Sequence, residues 1–400
     1  MTKRPNILLL LYPFFILIIY ILTVDTSVMK YEWDAVRITS WADKGLYIVP
    51  AAYNYTAQQH HMLLTTLNTT WCGIWKFFGY NGSCLMPLRF LSCIFGAAGA
   101  AGFFILLHKI FERVTIALFG SLGLAFSIYY WAFSTNVETH IFPVSVFIYC
   151  LVLSFHLEKF EIKKVILLGF LHSICMFFTS VYIFFMPAII VAMIINISNR
   201  EVLYKALLWY LFSFLLFWAV PFFIIGLYSY KVSSGLRYSD GVMEHMFIWC
   251  RGFEPLIPFR WVNLLNARIP YCYFSAVHYI NRCDGPTIFL GFIAIILYVP
   301  FFLAFLINYK DILKKFLKLV LIIFSIIIPY QFILLIYEPF NAERYIHFLP
   351  ALWMSMSFLA YPLFAGRLKP LRLLPFVLIC FIFFTNLLFY IYLRHLGSTR

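Results

Sequence analysis

Charge is what this sequence has least of. Only 12% of its 400 residues are Asp, Glu, Lys or Arg, against 64% that are hydrophobic, and the mean hydropathy is +0.90. That balance excludes a water-soluble domain of this length. Acids are the scarcer sign, 16 against 30 Lys and Arg, for a net charge of +14. A nucleic-acid partner would need those cations in a stripe, and they instead stand in small groups between apolar runs. No Cys-x-x-Cys pair and no His/Cys zinc spacing occurs among the nine Cys, which removes a thioredoxin-like or structural-zinc reading. There is no internal repeat, which weighs against a carrier built from paired halves. Ionisable residues are also rare inside the apolar runs, where an ion-coupled carrier would need them.

What is present is a series of membrane-length apolar segments. About 20 apolar residues cross about 30 Å of hydrocarbon as helix. The spacing predicts an all-α polytopic membrane protein, one transmembrane domain over 1–400, with about 11 crossings. Their expected spans are 6–24, 87–108, 114–133, 141–157, 165–179, 181–195, 206–227, 286–307, 319–337, 348–365 and 373–393. The run 165–195 is too long for one crossing and is divided at "FFTSVY". The first run follows Lys3 and Arg4 like a signal peptide, but it is long and lacks a small-residue cleavage site, so a retained helix is expected.

Orientation follows from the cations. With the N-terminus cytoplasmic, 16 of the 30 Lys and Arg fall in short connections on that side, among them Lys109, Arg113, Lys163, Lys164, Lys310, Lys314, Lys315 and Lys318. Most of the rest lie in two long connections, 25–86 and 228–285, which cross largely regardless of charge. The acids divide the other way. Five are cytoplasmic and 11 of the 16 face outward, including Glu32, Asp34, Asp43, Glu138 and Glu343. The chemically richer face is the outer one. Cys72, Cys84, Cys250, Cys272 and Cys283 lie in outer connections, where an oxidising compartment permits disulfides.

Three outer segments carry candidate chemistry. "EWDAVRITSWADKGLY" intersperses Trp33, Val36, Ile38, Trp41, Leu46 and Tyr47 among polar residues, which suits a helix lying in the interface plane. It would hold Glu32 and Asp34 where the first crossing emerges, as a general base or as ligands of a divalent cation, or merely as a solvated face balancing Lys30, Arg37 and Lys44. "STNVETHIFP" sets Glu138 and His140 two residues apart at the surface, for metal or hydroxyl binding or as a helix cap. "YEPFNAERYIHFLP" places Arg344 beside Glu343, Tyr345 and His347; Arg suits bidentate contact with phosphate, or anchoring at the interface. His60 and His61 open a further apolar stretch, 62–78, expected as a second interfacial helix. Adjacent His side chains diverge on a helix, so they are candidate acceptor contacts, not a joint metal site. The triplets at Asn54, Asn68 and Asn81 fit a glycan acceptor pattern, which chance in a polar loop also explains.

In this order of parts the chain resembles the GT-C class of integral-membrane glycosyltransferases, and locally the aminoarabinose and protein O-mannosyl transferases. The first-loop pattern of those enzymes is an acid, then Arg or Tyr three residues on, then Gly-x-(Trp/Tyr)-x-x-Pro. It reads here as Asp34, Arg37, Gly45, Tyr47 and Pro50, across a shorter intervening stretch. The adjacent Asp-Glu of many members is absent, since Ala35 follows Asp34 and Glu32 comes two residues earlier.

The resemblance implies an inverting enzyme of the extracytoplasmic face. It would take a polyprenyl-phosphate-linked sugar as donor and a lipid, glycan or protein as acceptor. Asp34 and Glu138 would be the catalytic acids and Arg344 the contact to lipid phosphate; the outer segments themselves add Arg37, Glu32, His60, His61, His140 and Tyr345 as candidate substrate contacts. A divalent cation is an open expectation. The setting would be a bacterial plasma membrane or the endoplasmic reticulum membrane. A flippase for a lipid-linked precursor, or a polymerase or ligase using Arg251, Arg260 and Arg268, is the competing expectation.

Overall fold

The computed structural model describes residues 7–24, 33–46, 62–157, 161–232, 277–278, 285–337, 342–365 and 369–397. Among the described residues there is no strand. Thirteen helices follow one another: α1 (Ile7–Leu22), α2 (Trp33–Asp43), α3 (Met62–Phe77), α4 (Leu85–Phe111), α5 (Val114–Phe126), α6 (Ile128–Thr135), α7 (Ile141–Phe155), α8 (Ile162–Phe178), α9 (Met186–Asn196), α10 (Arg200–Val232), α11 (Gly285–Tyr337), α12 (Leu349–Ala365) and α13 (Leu374–Gly397). Short 3₁₀ segments at Ser180–Phe185, Ala342–Phe348 and Lys369–Leu373 lead into α9, α12 and α13.

Five of these helices are long and apolar enough to cross a membrane, and six if the pair α5–α6, bent by 63°, counts as one span. The protein is membrane-embedded. Large apolar side chains on α10 and α11 face outward, Phe212 at 57% exposure and Ile307 at 80% among them, as a lipid-facing surface requires.

The helix breaks have local causes. After Phe178 the chain leaves the α-helix at extended Thr179 and re-enters through a 3₁₀ turn with Pro187 early in α9, so the "FFTSVY" division holds. The run 114–133 is continuous in sequence yet bends at Ser127, which leaves helical geometry (φ −59°, ψ 134°). There Tyr20 Oη donates to Ala125 O (2.9 Å) and Asn386 Nδ2 to Phe126 O (2.8 Å), so carbonyls left over at the bend are satisfied inside the bundle, and Ser127 Oγ accepts from Trp353 Nε1 (2.8 Å). The expected pair 286–307 and 319–337 lies within α11, which is two helices meeting at a kink at Phe316 (φ −115°, ψ 20°), between the two expected spans. Its apolar part, Phe289–Phe332, is 44 residues, about 66 Å of helix, longer than one crossing needs.

Helix α4 is the centre of the bundle, packing on α1, α5, α6 and α7. It approaches closely through Gly96, Gly99 and Gly102. A Cβ at Gly96 would meet Ser134, and one at Gly99 would meet Tyr130 and Ser145. The same neighbours bond to its backbone: Tyr130 Oη donates to Gly96 O (2.9 Å), and Ser145 Oγ to Phe95 O (2.8 Å). Without a hydrophobic drive between helices in lipid, such small-residue packing and interhelical hydrogen bonds supply the attraction.

The connections sort to two ends. At one, Trp131 Nε1 donates to Thr23 Oγ1, Tyr182 meets His347, and Arg344 meets His140. At the other, Arg113 donates to Phe364 O, Lys318 to Ile195 O, and Asn196 to Ser154 O. The partners in each contact belong to connections expected on one and the same side.

Candidate functional site

The site is built at the Thr23/Tyr182/Arg344 end. In a 3₁₀ helix, residues three apart eclipse one another. Within Ala342–Phe348 this sets Arg344 and His347 along one edge and Tyr345 and Phe348 along another. The second edge faces the core. Tyr345 is fully buried, with its ring 5.6 Å from that of Phe348. The first edge faces the connection between α6 and α7. Arg344 Nη1 donates to His140 Nε2 at 3.3 Å, and the ring of His347 stands edge-on to that of His140 at 5.1 Å. A guanidinium has only donors, so the neutral imidazole with Nε2 as acceptor is the form that fits. Tyr330 Oη donates to Arg344 O (3.1 Å) and fixes the backbone under the guanidinium.

His347 continues the cluster inward. Its Nδ1 and Tyr182 Oη share a 2.9 Å hydrogen bond, and the Tyr182 carbonyl lies 2.9 Å from His172 Nε2. A carbonyl only accepts, so His172 donates there through Nε2. Its Nδ1 then accepts from Tyr210 Oη at 2.7 Å. Four helical elements are tied by this chain, from α8 and α10 to the two 3₁₀ segments. It sits over an aromatic packing of Phe147, Phe185 and Tyr330.

Glu138 stands two residues before His140 on the same short connection, half-buried, its Oε2 accepting the Thr139 N–H at 3.2 Å. Among the expected site residues, Arg344, His140 and Glu138 are thus brought to one place. Tyr345 shares the segment but points to the core. Arg37 lies on α2, its guanidinium 5.0 Å from the Trp41 ring centroid, so it covers an aromatic face. Asp34 lies in the first turn of α2. Glu32, His60 and His61 lie outside the described residues, as do Tyr47, Pro50, Arg251, Arg260 and Arg268.

Helix α2 is amphipathic. Its buried stripe is Ala35, Ile38, Thr39 and Ala42, at helical spacing, and Val36 is exposed. The stripe packs on α3 and α4, so α2 leans on the protein. A carboxylate holds it there. Asp43 Oδ1 accepts the Cys84 N–H (2.9 Å) at the start of α4 and Oδ2 accepts from Ser83 Oγ (3.1 Å), with Lys76 Nζ 3.8 Å away. Cys72 and Cys84 are disulfide-bonded, Cα atoms 5.6 Å apart, and Trp71 Nε1 donates to Pro87 O (2.7 Å) beside them. Asp43 therefore caps a helix, and of the five cysteines in the two long connections Cys72 and Cys84 are paired. Thr69 Oγ1 further ties α3 to Leu46 O (2.6 Å). Asn68 is buried, which removes it as a glycan acceptor in the folded protein.

Tyr182, Tyr330 and Arg89 of this end are not among the candidates read from the sequence. Tyr182 and Tyr330 carry no local signal beyond the break near 180. His347 is signalled by its three-residue spacing from Arg344. Arg89, fully buried on α4 near its first turn, is a further cation at this end, and a charge retained at such depth is a functional feature by default. No family model matches the chain, and no curated protein matches it.

Proposed function

We propose that the protein is a membrane glycosyltransferase. It moves a sugar from a polyprenyl-phosphate donor to an acceptor hydroxyl on the extracytoplasmic face, through eleven crossings with a cytoplasmic N-terminus. The observation that carries the reading is the contact of Arg344 with His140, which joins the two outer connections expected to serve donor phosphate and acid chemistry. The sorting of contacts into two ends supports the alternation of crossings, and a disulfide at the Arg344 end suits an oxidising side.

The chemistry needs one displacement. A carboxylate, assigned to Asp34, takes the proton of the acceptor hydroxyl as its oxygen attacks the anomeric carbon. The bond from that carbon to the phosphate oxygen breaks, and polyprenyl phosphate departs with inverted configuration left on the sugar. Arg344 stabilises the charge growing on the phosphate, with Glu138 orienting the reacting groups. The amphiphilic donor keeps its phosphate at the surface and its tail in lipid, which fits a guanidinium at the end of a membrane helix.

The test separates phosphate binding from sugar identity. Retention of a C55 polyprenyl monophosphate by the purified protein is measured by native mass spectrometry. Retention by the parent and its loss in Arg344→Ala, with the helical fold kept, is the expected result. Equal retention by both refutes the assignment of Arg344.

A further inference from the structure

The opposite end of the bundle carries a second cluster, and its chemistry is different. Three elements converge on the ring of Tyr361 in α12. The Arg113 guanidinium, at the turn between α4 and α5, lies 5.6 Å from its centroid. Lys315 Nζ, one residue before the interruption of α11, lies 4.7 Å from it and donates to Tyr361 Oη at 2.5 Å. Beneath the cations is an aromatic floor. Phe316 meets Tyr361 edge-on at 4.8 Å, and Phe111 stands 5.1 Å from Phe316 and 6.2 Å from Tyr361.

Both cations are exposed, and among the described residues neither makes an ion pair with a carboxylate. Glu112 and Asp311 are close in sequence, yet the ion pairs found at this end, Lys164–Glu161 and Lys205–Glu201, are elsewhere on it. The fold thus brings two like charges to one tyrosine, with no carboxylate of the described residues in contact with either. Lys318 differs, being engaged with the Ile195 carbonyl (3.2 Å). Lys310 lies over the ring of its neighbour Tyr309.

We propose that Arg113, Lys315 and Tyr361 form a binding site for the phosphate headgroup of an anionic phospholipid. The two cations and the tyrosine hydroxyl supply donors to the phosphate oxygens. The acyl chains lie along the lipid-facing side of α11, where Leu317 and Leu321 are exposed, while the buried aromatic floor holds the cations in place. A free phosphate satisfies only the upper half of this arrangement. The site stands at the far end of the bundle from Arg344, so it is independent of the glycosyltransferase proposal.

The experiment uses the full chain in nanodiscs and detergent. Phosphatidylglycerol retained through delipidation is counted by native mass spectrometry, with phosphatidylcholine as the uncharged-headgroup comparison and inorganic phosphate as competitor. Removing two cations near an anionic headgroup is expected to weaken binding about thirtyfold. Arg113→Gln/Lys315→Gln should therefore lose phosphatidylglycerol and leave phosphatidylcholine unchanged, while Lys310→Gln/Lys314→Gln, equal in charge, should retain it. Because Arg113 also bonds to Phe364 O, Lys315→Gln alone is measured as well; its exposed side chain leaves the fold intact, and about a fivefold loss is expected. Equal losses in the two double variants would show diffuse attraction and overturn the site. So would no loss in Lys315→Gln, or displacement of the lipid by inorganic phosphate at millimolar concentration.

Discussion

Cutting the Cys72–Cys84 bridge tests how α2, and with it Asp34, is held. The cysteines are separated by 12 residues, and a loop of that length stabilises by about 3 kcal/mol through the entropy removed from the opened chain. The bridge fastens α3 to the start of α4, so its loss acts on local opening of this end and not on the α4–α7 core. An opening made about 3 kcal/mol easier lowers amide protection about a hundredfold. In Cys72→Ser/Cys84→Ser, hydrogen exchange over Met62–Phe77 should accelerate by that order, while Phe103–Leu107 in α4 exchanges as before. Asp43 still joins α2 to Ser83 and Cys84, which keeps the segment from detaching. Unchanged exchange over α3 would refute the reasoning. So would full labelling of Cys72 and Cys84 by a thiol reagent in the unreduced protein.

Other expectations follow from the same contacts. Asp43→Ala removes the cap on α4 and should lower stability by about 1 kcal/mol in detergent unfolding, with Asp43→Asn losing less. Gly123→Val sets its side chain against the Trp353 ring and should destabilise by about 1–3 kcal/mol, read as a lower unfolding midpoint. Tyr182→Phe deletes the hydroxyl that meets His347 and should cost about 1 kcal/mol of stability; an unchanged midpoint would show that the His347 bond contributes nothing.

How much of this was legible beforehand depended on whether a feature is local. The break at Thr179 and the membrane-length runs are written in hydropathy and in "FFTSVY". The bend at Ser127 is not, because the carbonyls it leaves over are satisfied by Tyr20 and Asn386, 105 and 260 residues away. The division of 286–337 near its Lys-rich stretch 310–318 is legible too, but the stretch is helical up to a kink at one residue, Phe316, where a loop is expected. Arg344, Glu138 and His140 were identifiable as polar residues at the ends of apolar runs. Their partners were not: Tyr182 and Tyr330 look like ordinary aromatic residues until tertiary packing selects them. For α2 the helix itself is legible from its mixed apolar and polar residues, but its packing through Ala35 and Ala42 is not, because close contact with α3 and α4 is a tertiary feature. Asp43 was read as one more acid of the outer face and is a cap.

The central claim is acid-assisted sugar transfer at the Arg344 end, and one assay tests it most directly. Membranes carrying the parent, Asp34→Asn or Asp43→Asn are compared for transfer from polyprenyl-phosphate mannose and polyprenyl-phosphate aminoarabinose. Loss of a general base lowers transfer by about 10²–10⁴. The account predicts that loss for Asp34→Asn with normal membrane insertion, and near-parent transfer for Asp43→Asn. Full transfer by Asp34→Asn would contradict it.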